Sequence, residues 1–384
     1  MLKERKAILL SLMLIFVQVV FACGDTSSPE STLEPTVISS PTGTETDSLA
    51  TRIDQYIQDK HSDFSGAILV VQKGKVLISQ GYGLADRENA VPNTAQTKFE
   101  IGSITKSFTA MAIMILEESG LLNVDDSICL YISDCPNAWK PVTVHHLLNH
   151  TSGIPSYTEI YEQGKVDTDI CEEHSAEEVV SNFKDLPFKY TPGQHYRYTN
   201  SGYFLWGIII ENISGERYEE FLQQNIFQPL EMTETEYGFT QNSENDHALG
   251  YIVDQDQLIK APCRHVSTAF ASGGLTSTVG DLYKWDQALY TDQLVSQETL
   301  ERIFASEVRM GGGKTYGYGW EISKRKGHLL IQHGGETIAF IAQLSRYTDD
   351  QVTIIVLKNL KLEDRDIQAL RITMGVADIV FGEV

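Results

Sequence analysis

Several signatures of familiar chemistry are missing from the chain. No CxxC occurs, so dithiol redox chemistry and cysteine-type zinc sites have no support. HExxH is absent as well, and with it the zinc-peptidase arrangement. The lack of G-x-S-x-G argues against the strand-to-helix elbow of α/β-hydrolases. Basic residues are scarce: 30 Lys and Arg stand against 52 acids, a formal net charge of −22 over 384 residues. A nucleic acid would be repelled, and so would an acidic membrane surface, which leaves a covalent or hydrophobic tether as the form of any membrane link. What the chain does have is material for a core. Hydrophobic residues make up 42% of it, with 15 Phe and 17 Tyr, which excludes wholesale disorder.

Long apolar runs are equally rare. Lys3, Arg5 and Lys6 precede the uncharged stretch Ala7–Ala22, whose sixteen residues fall short of the ~20 that a spanning helix needs. A basic head with an apolar middle predicts a signal peptide over residues 1–22. It ends Val20-Phe21-Ala22-Cys23, which resembles the lipobox of bacterial lipoproteins and makes Cys23 the candidate lipid anchor. An ordinary cleaved signal, giving a secreted protein, and an uncleaved anchor are the alternatives. Residues 24–48 hold six Ser, six Thr, three Pro and five acids with three aliphatics, the composition of a solvated linker. Setting residues 1–48 aside leaves a net charge of −19, so the acidity belongs to the folded region.

With Cys23 assigned to the anchor, Cys129, Cys135, Cys171 and Cys263 remain. Four cysteines in an oxidising compartment allow three pairings, with four free thiols as the alternative. Cys129–Cys135 closes a short loop and is favoured, which leaves Cys171–Cys263.

Periodicity sets the fold class. Thr51–Lys60 reads as an amphipathic helix, and Gly66–Gln72 and Lys75–Tyr82 as a hairpin turning at Lys73-Gly74. From Ser103 the period is helical, with Phe108, Met111, Ala112, Ile115 and Leu116 on one face and Gly120 as the stop. Residues from Leu121 to about Pro262 read as mostly helical, including Val142–Asn149, Ala176–Phe183 and Tyr203–Ile213; Thr278–Tyr290 is another helix. Strands return at Gly317–Ser323, Leu329–His333, Phe340–Tyr347 and Val352–Lys358, and a last helix spans Asp364–Phe381. The expected fold is α/β in the α+β sense. An antiparallel sheet is built from both chain ends and flanked by helices, and a helical subdomain of roughly 121–262 is inserted into one domain spanning 49–384.

The chemistry centres on Ser103-Ile104-Thr105-Lys106. A serine at a helix start has its hydroxyl near the positive end of the helix dipole. Lys106, three residues on, shares its face and can take the serine proton if its pKa is lowered, giving a nucleophile without histidine. Ser181–Lys184 and Ser323–Lys326 repeat the spacing, but the first reads as a surface helix and the second as a basic strand end. Only Ser103 opens an apolar helix, and only it has partners: Tyr198-Thr199-Asn200 and His333-Gly334-Gly335. The segments Leu147–Pro155, Gly273–Thr278 leading to Asp281-Leu282, and Tyr318-Gly319-Trp320 agree with them.

Together these motifs resemble the serine β-lactamase-related family, which holds class C β-lactamases, D-alanyl-D-alanine carboxypeptidases and related esterases. The resemblance runs from about Ala67 to Lys358. It implies that Ser103 is the acylated nucleophile and that Lys106 and Tyr198 share the proton traffic, with the phenol passing a proton to the leaving group. Asn200 would bond the substrate and the lysine. His333, Gly334 and Gly335 would line a strand edge where substrate pairs. The backbone N–H groups of Ser103 and Glu336 would form the oxyanion hole. No cofactor and no metal is implied.

Two departures stand out. Where the β-lactamases have Lys-Thr-Gly this chain has His-Gly-Gly, so the hydroxyl is gone and the cation is conditional on pH. Ala339-Phe340 replaces the usual glycine before an aromatic. Other features read as decoys. Gly313-Lys314-Thr315 fails both the phosphate-loop and the Lys-Thr-Gly patterns at Val308 and Tyr316. His145, His146 and His150 read as core or capping residues rather than metal ligands, and Trp320 as sheet packing. The expected protein is an extracytoplasmic, membrane-tethered serine hydrolase acting on the amide or ester bonds of D-amino-acid peptides, cell-wall fragments, β-lactams or small esters, with only weak β-lactam turnover. An esterase with no cell-wall role and an idle penicillin- or peptidoglycan-binding protein are the alternatives.

Overall fold

The computed structural model describes residues 44–162, 170–238, 246–305, 308–362 and 367–383. The expected signal peptide, Cys23 and most of the linker lie outside them. The described residues all fall within the compact unit Gly43–Val384.

In chain order the principal elements are helix α1 (Thr44–Lys60), strands β1 (Gly66–Gln72) and β2 (Lys75–Tyr82), and helices α2 (Thr105–Glu118), α3 (Asn200–Ser214) and α4 (Val279–Ala288). Strands β3 (Val308–Gly311), β4 (Lys314–Tyr316), β5 (Glu321–Arg325), β6 (His328–Glu336), β7 (Ile341–Tyr347) and β8 (Val352–Lys358) follow, then helix α5 (Gln368–Val380). The eight strands form one antiparallel sheet in the order β3-β4-β5-β6-β7-β8-β1-β2, closed between the chain ends by the β1–β8 pair with Gly66 opposite Lys358.

The sheet carries a core on each face, which explains its uninterrupted apolar strands. On one face Ile68, Val70, Ile354 and Val356 pack with Ile53 and Ile57 of α1 and Ile372 and Val376 of α5. On the other, Ala67, Leu69, Ile355 and Leu357 join the larger cluster around α2 and α3. Helix α2 is buried on nearly every side, not on a single stripe, as a helix at the centre of a large core must be.

The structure departs from the sequence reading in several places. Helix α1 begins at Thr44, so residues 44–48 belong to it and not to the linker; Leu49, packed against the α1–α5 core, draws the helix in that direction. Gly317–Trp320 is a connection between β4 and β5 and not a strand start, because Gly319 has φ of 80° and lies against the α2 backbone, 2.8 Å from the Lys106 carbonyl to where a Cβ would stand. The last helix starts at Gln368; residues 363–366 lie outside the described residues. The mostly helical middle also holds a hairpin, Tyr251–Asp254 with Gln257–Lys260, paired to Leu360–Lys361. The four cysteines form two bridges, Cys129–Cys135 and Cys171–Cys263.

One buried ion pair ties α4 to the sheet. The Asp286 carboxylate accepts from Arg346 Nε and from Thr353 Oγ1 (2.7 Å), and both charged side chains are fully buried. The guanidinium also lies 4.8 Å from the Tyr290 ring centre and 5.7 Å from that of Trp320, so the expected packing role of Trp320 includes covering this pair. Removing one partner leaves a buried charge uncompensated, so Asp286→Ala is expected to cost about 3–5 kcal/mol in denaturant unfolding. A loss below about 1 kcal/mol, the worth of an exposed pair, would contradict this reading.

Candidate active site

The Ser103 hydroxyl is positioned by close backbone contact. Phe99–Glu100 pairs with Leu275–Ser277, and Leu275 grips the following turn: its carbonyl accepts from Ile101 N (3.0 Å) and its N–H donates to Thr105 Oγ1 (3.2 Å). Ser103 lies in the single 3₁₀ turn Gly102–Ile104 that leads into α2. Gly102 has φ of 49°, and a Cβ on it would stand 2.7 Å from the Glu336 nitrogen. Gly335 of β6 meets the turn from the other side, where a Cβ would stand 1.9 Å from the Ile101 carbonyl and 3.2 Å from the Ser103 nitrogen. Only glycines at both places let strand and turn approach so closely. The contact brings the amides of Ser103 and Glu336 to the same spot.

Lys106 is fully buried on the first turn of α2. Its Nζ lies 2.9 Å from Ser103 Oγ, 2.8 Å from Asn200 Oδ1 and 2.7 Å from the Ser272 carbonyl. Burial, reinforced by the charge of Arg264, holds its pKa well below the usual lysine value. The Tyr198 ring centre is 4.9 Å from the same nitrogen, and Ser103 is near enough to the phenol to pull its pKa down. Burial outweighs that pull and raises the pKa, so the phenol is neutral across the physiological range. Asn200 opens α3 behind the N-cap Thr199, and its amide Nδ2 donates to Thr158 Oγ1 (3.2 Å).

His333 and Gly335 lie on the β6 face turned toward this site, whereas a Cβ at Gly334 would point to Gln343. The His333 ring is buried, 3.0 Å from the Tyr316 hydroxyl and 2.6 Å from the Gly334 carbonyl. Burial drives its pKa down to about 4, with the charge of Lys106 in support and Glu321 opposing. Above that pH the ring is neutral. The expected conditional cation is therefore a neutral imidazole at neutral pH. The Glu336 carboxylate pairs with Lys361.

The structure also shows contributors that the motifs did not reveal. Ser272 acts through its carbonyl, which any residue supplies, so residue type carries no signal there. His150 holds the segment that carries Tyr198 on both sides of the tyrosine. Its carbonyl accepts from Arg197 N (3.0 Å) and its Nδ1 from Thr199 N (3.3 Å), and its ring lies 4.4 Å from that of Tyr198. Its place in the Leu147–Pro155 segment was the available clue. The remaining candidates sit in structural roles. His145 bonds the Tyr318 hydroxyl, and His146 completes a capping box with Thr143. Lys314 pairs with Glu321, Lys326 pairs with Asp378, and Ser181 is an exposed helix end.

A serine beside a buried, depressed lysine, with two amides at the nucleophile turn, can support acyl transfer through a covalent serine ester. The fold and site are those of a serine hydrolase. Residues 50–376 match the beta-lactamase family model, and the chain belongs to that family. Penicillin-binding protein 4* of Bacillus subtilis (strain 168) is 32% identical over 341 residues, covering 85% of this chain and 74% of that one. The octameric penicillin-binding protein homologue from Pyrococcus abyssi is 32% identical with a TM-score of 0.75, covering 88% of this chain and 78% of that one. The D-amino acid amidase from Ochrobactrum anthropi SV3, solved with D-phenylalanine, shares the fold at a TM-score of 0.75 and 23% identity, covering 87% and 99%.

Proposed function

We propose that this protein is an extracytoplasmic serine hydrolase that cleaves amide or ester bonds of D-amino-acid peptides, cell-wall fragments or small esters through an acyl-Ser103 intermediate. One observation carries the mechanism. Lys106 Nζ faces two oxygens that can only accept, Asn200 Oδ1 and the Ser272 carbonyl, and one hydroxyl, Ser103 Oγ. A neutral amine has two N–H bonds and one lone pair. The two N–H groups satisfy the two acceptors, and the lone pair is left for the Ser103 proton. Lys106 is then the resting base.

As Ser103 Oγ attacks the carbonyl carbon, its proton passes to Lys106. The oxyanion forms against the N–H groups of Ser103 and Glu336. Tyr198, a neutral phenol beside Ser103 and Lys106, donates its proton to the leaving group and is reprotonated from Lys106. Water then attacks the ester by the same route in reverse and releases the acid. His150 acts as a positioning residue for Tyr198. Replacing it with alanine is expected to lower kcat about 10- to 100-fold with a smaller change in KM, as a misplaced catalytic group does. Unchanged kcat on an ester would show that Tyr198 stands without that support.

The substrate class rests on the relatives, whose names speak of penicillin binding and of D-amino acid amides. Their β-lactam connection does not extend to efficient β-lactam turnover here, because Gly334 brings no hydroxyl and His333 no charge to the third motif. The leader and Cys23 support a lipid tether, with residues 24–43 as its leash and a secreted form as the alternative. An esterase with no cell-wall role uses the same machinery. An idle binding protein is disfavoured, since Ser103, Lys106, Tyr198 and Asn200 are all assembled. Steady-state rates on p-nitrophenyl esters, D-Ala-D-Ala peptides and nitrocefin test the reading. Ester turnover is expected to exceed nitrocefin turnover; nitrocefin far above the esters would overturn the ranking.

A further inference from the structure

Two chain segments meet at the nucleophile turn, Phe99–Ser103 and Gly335–Phe340, and each carries one of the two N–H groups that face the oxyanion. They pack against each other in opposite directions. Gly335 approaches the Ile101 carbonyl, and Gly102 approaches the Glu336 nitrogen. At the far end the Phe99 and Phe340 rings meet edge to face, with centres 6.5 Å apart. Between these contacts Glu100 and Thr337 line one small cavity of about 60 Å³.

Thr337 is buried and heads a tight turn directly after Glu336. Its N–H donates to the Phe340 carbonyl (2.9 Å), and its Oγ1 accepts from the Phe340 N–H (3.3 Å). With that N–H on the oxygen, the hydroxyl hydrogen still requires an acceptor. The Glu100 carboxyl is at hand. Burial pushes its pKa up to about 7, and Thr337 and then Arg264 are near enough to pull against that rise. Both protonation states are therefore present near neutrality, and either offers an oxygen to a hydroxyl hydrogen.

Glu100 is itself anchored through its backbone, opposite Thr276 in the pairing of Phe99–Glu100 with Leu275–Ser277. A contact from its side chain to Thr337 thus carries a fixed position across to the residue that follows Glu336. An apolar side chain would fill the same space without the desolvation that a carboxyl suffers there. Arg264 and Lys260 share the cavity, so neutralising a cation is the competing role for this acid.

We propose that Glu100 is a positioning residue for the oxyanion hole: its carboxyl holds the Thr337 hydroxyl and so fixes the Glu336 N–H beside that of Ser103. The inference rests on the acyl-Ser103 mechanism above, in which those two amides receive the oxyanion. It assigns the work to a hydrogen-bond acceptor at position 100 and not to a charge.

N-benzoyl-D-alanine methyl ester and its thionoester test this. They share acyl chain and leaving group, and the sulfur is a larger and poorer hydrogen-bond acceptor than the carbonyl oxygen. The wild type is expected to favour the ester in kcat/KM by on the order of a hundredfold or more, since loss of one oxyanion donor costs about 10²–10³-fold. E100L and T337V are each expected to lower that ratio about tenfold by misplacing one donor, mainly through kcat on the ester. The double variant E100L/T337V should fall no further than either single one, because both break the same contact. E100Q keeps an acceptor and T337S a hydroxyl, and each is expected to restore the ratio to within about twofold. Thr337 also lines the cleft beside Ser103, but the two substrates present the same groups to it. A merely damaged fold slows both substrates and leaves the ratio unchanged. An unchanged ratio in E100L and T337V overturns the positioning role. A ratio that falls in E100Q as far as in E100L assigns Glu100 to charge neutralisation and overturns it equally. A wild type without preference for the ester overturns the oxyanion site on which the inference rests, and turnover of neither substrate overturns the hydrolase reading itself.

Discussion

Replacing Ser103 by alanine is expected to reduce turnover of a p-nitrophenyl ester by about 10⁴-fold or more, the scale on which removal of a catalytic nucleophile acts. The side chain removed is small and half-buried, so the loss is expected without a matching loss of stability. The amides of Ser103 and Glu336 remain in S103A, because position 103 keeps its backbone and the approach of Gly335 is untouched. What residual activity there is therefore reports the oxyanion site and binding alone. Steady-state kinetics with a thermal melt alongside separates these terms. Near-wild-type turnover by folded S103A would remove Ser103 from the mechanism.

The second large effect concerns Lys106. Lys106→Met keeps the length of the side chain and removes the lone pair, and is expected to lower kcat/KM by about 10²–10⁴-fold, the range of general-base catalysis. The pH dependence gives the sharper test. Only the unprotonated amine accepts the Ser103 proton, so wild-type kcat/KM should rise with pH as Lys106 loses its proton and level off above that point. Since burial and then Arg264 hold the lysine well below its ordinary value, the rise should fall well below the pH at which an exposed lysine titrates. In K106M that limb should vanish, leaving a low and flat profile over the same range. His333 ionises at about 4 and stands as the competing source of an acid limb. Retention of the limb in K106M would assign it to His333 or to another group.

Much of the architecture was legible in the sequence because it depends on burial patterns. Val352–Lys358 and Gly66–Gln72 read as strands because both faces of each are packed, one against α1 and α5 and the other against α4 and the larger core. The glycines of the third motif were legible as well, although the reason for Gly335 appears only in its approach to Ile101. The start of α1 was not. Thr44–Ser48 has the composition of a linker, and only packing at Leu49 and Ile53 shows why the helix extends into it. The Gly317–Trp320 connection read as a strand because its aromatics are buried, yet the backbone must turn there to pass α2.

The site divided along a similar line. In the proposed mechanism Ser103, Lys106, Tyr198 and Asn200 act through their side chains, so their types and spacing announced them. Ser272 contributes a carbonyl, which any residue supplies, and His150 gives its carbonyl and its ring Nδ1 to the backbone flanking Tyr198, a role signalled only by its place in the Leu147–Pro155 segment. The charge state of His333 belongs to its surroundings. A histidine in the sequence leaves protonation open, and burial beside Lys106 decides it for the neutral form.

The central claim is that Ser103 is a nucleophile activated by Lys106. Intact-mass measurement after incubation with a fluorophosphonate at neutral pH, with peptide mapping, tests it most directly. The expected result is a single adduct mapped to Ser103 in the wild type, absent from S103A and formed far more slowly in K106M. A folded wild-type protein that stays unlabelled, or an adduct at another residue that persists in S103A, would contradict the account.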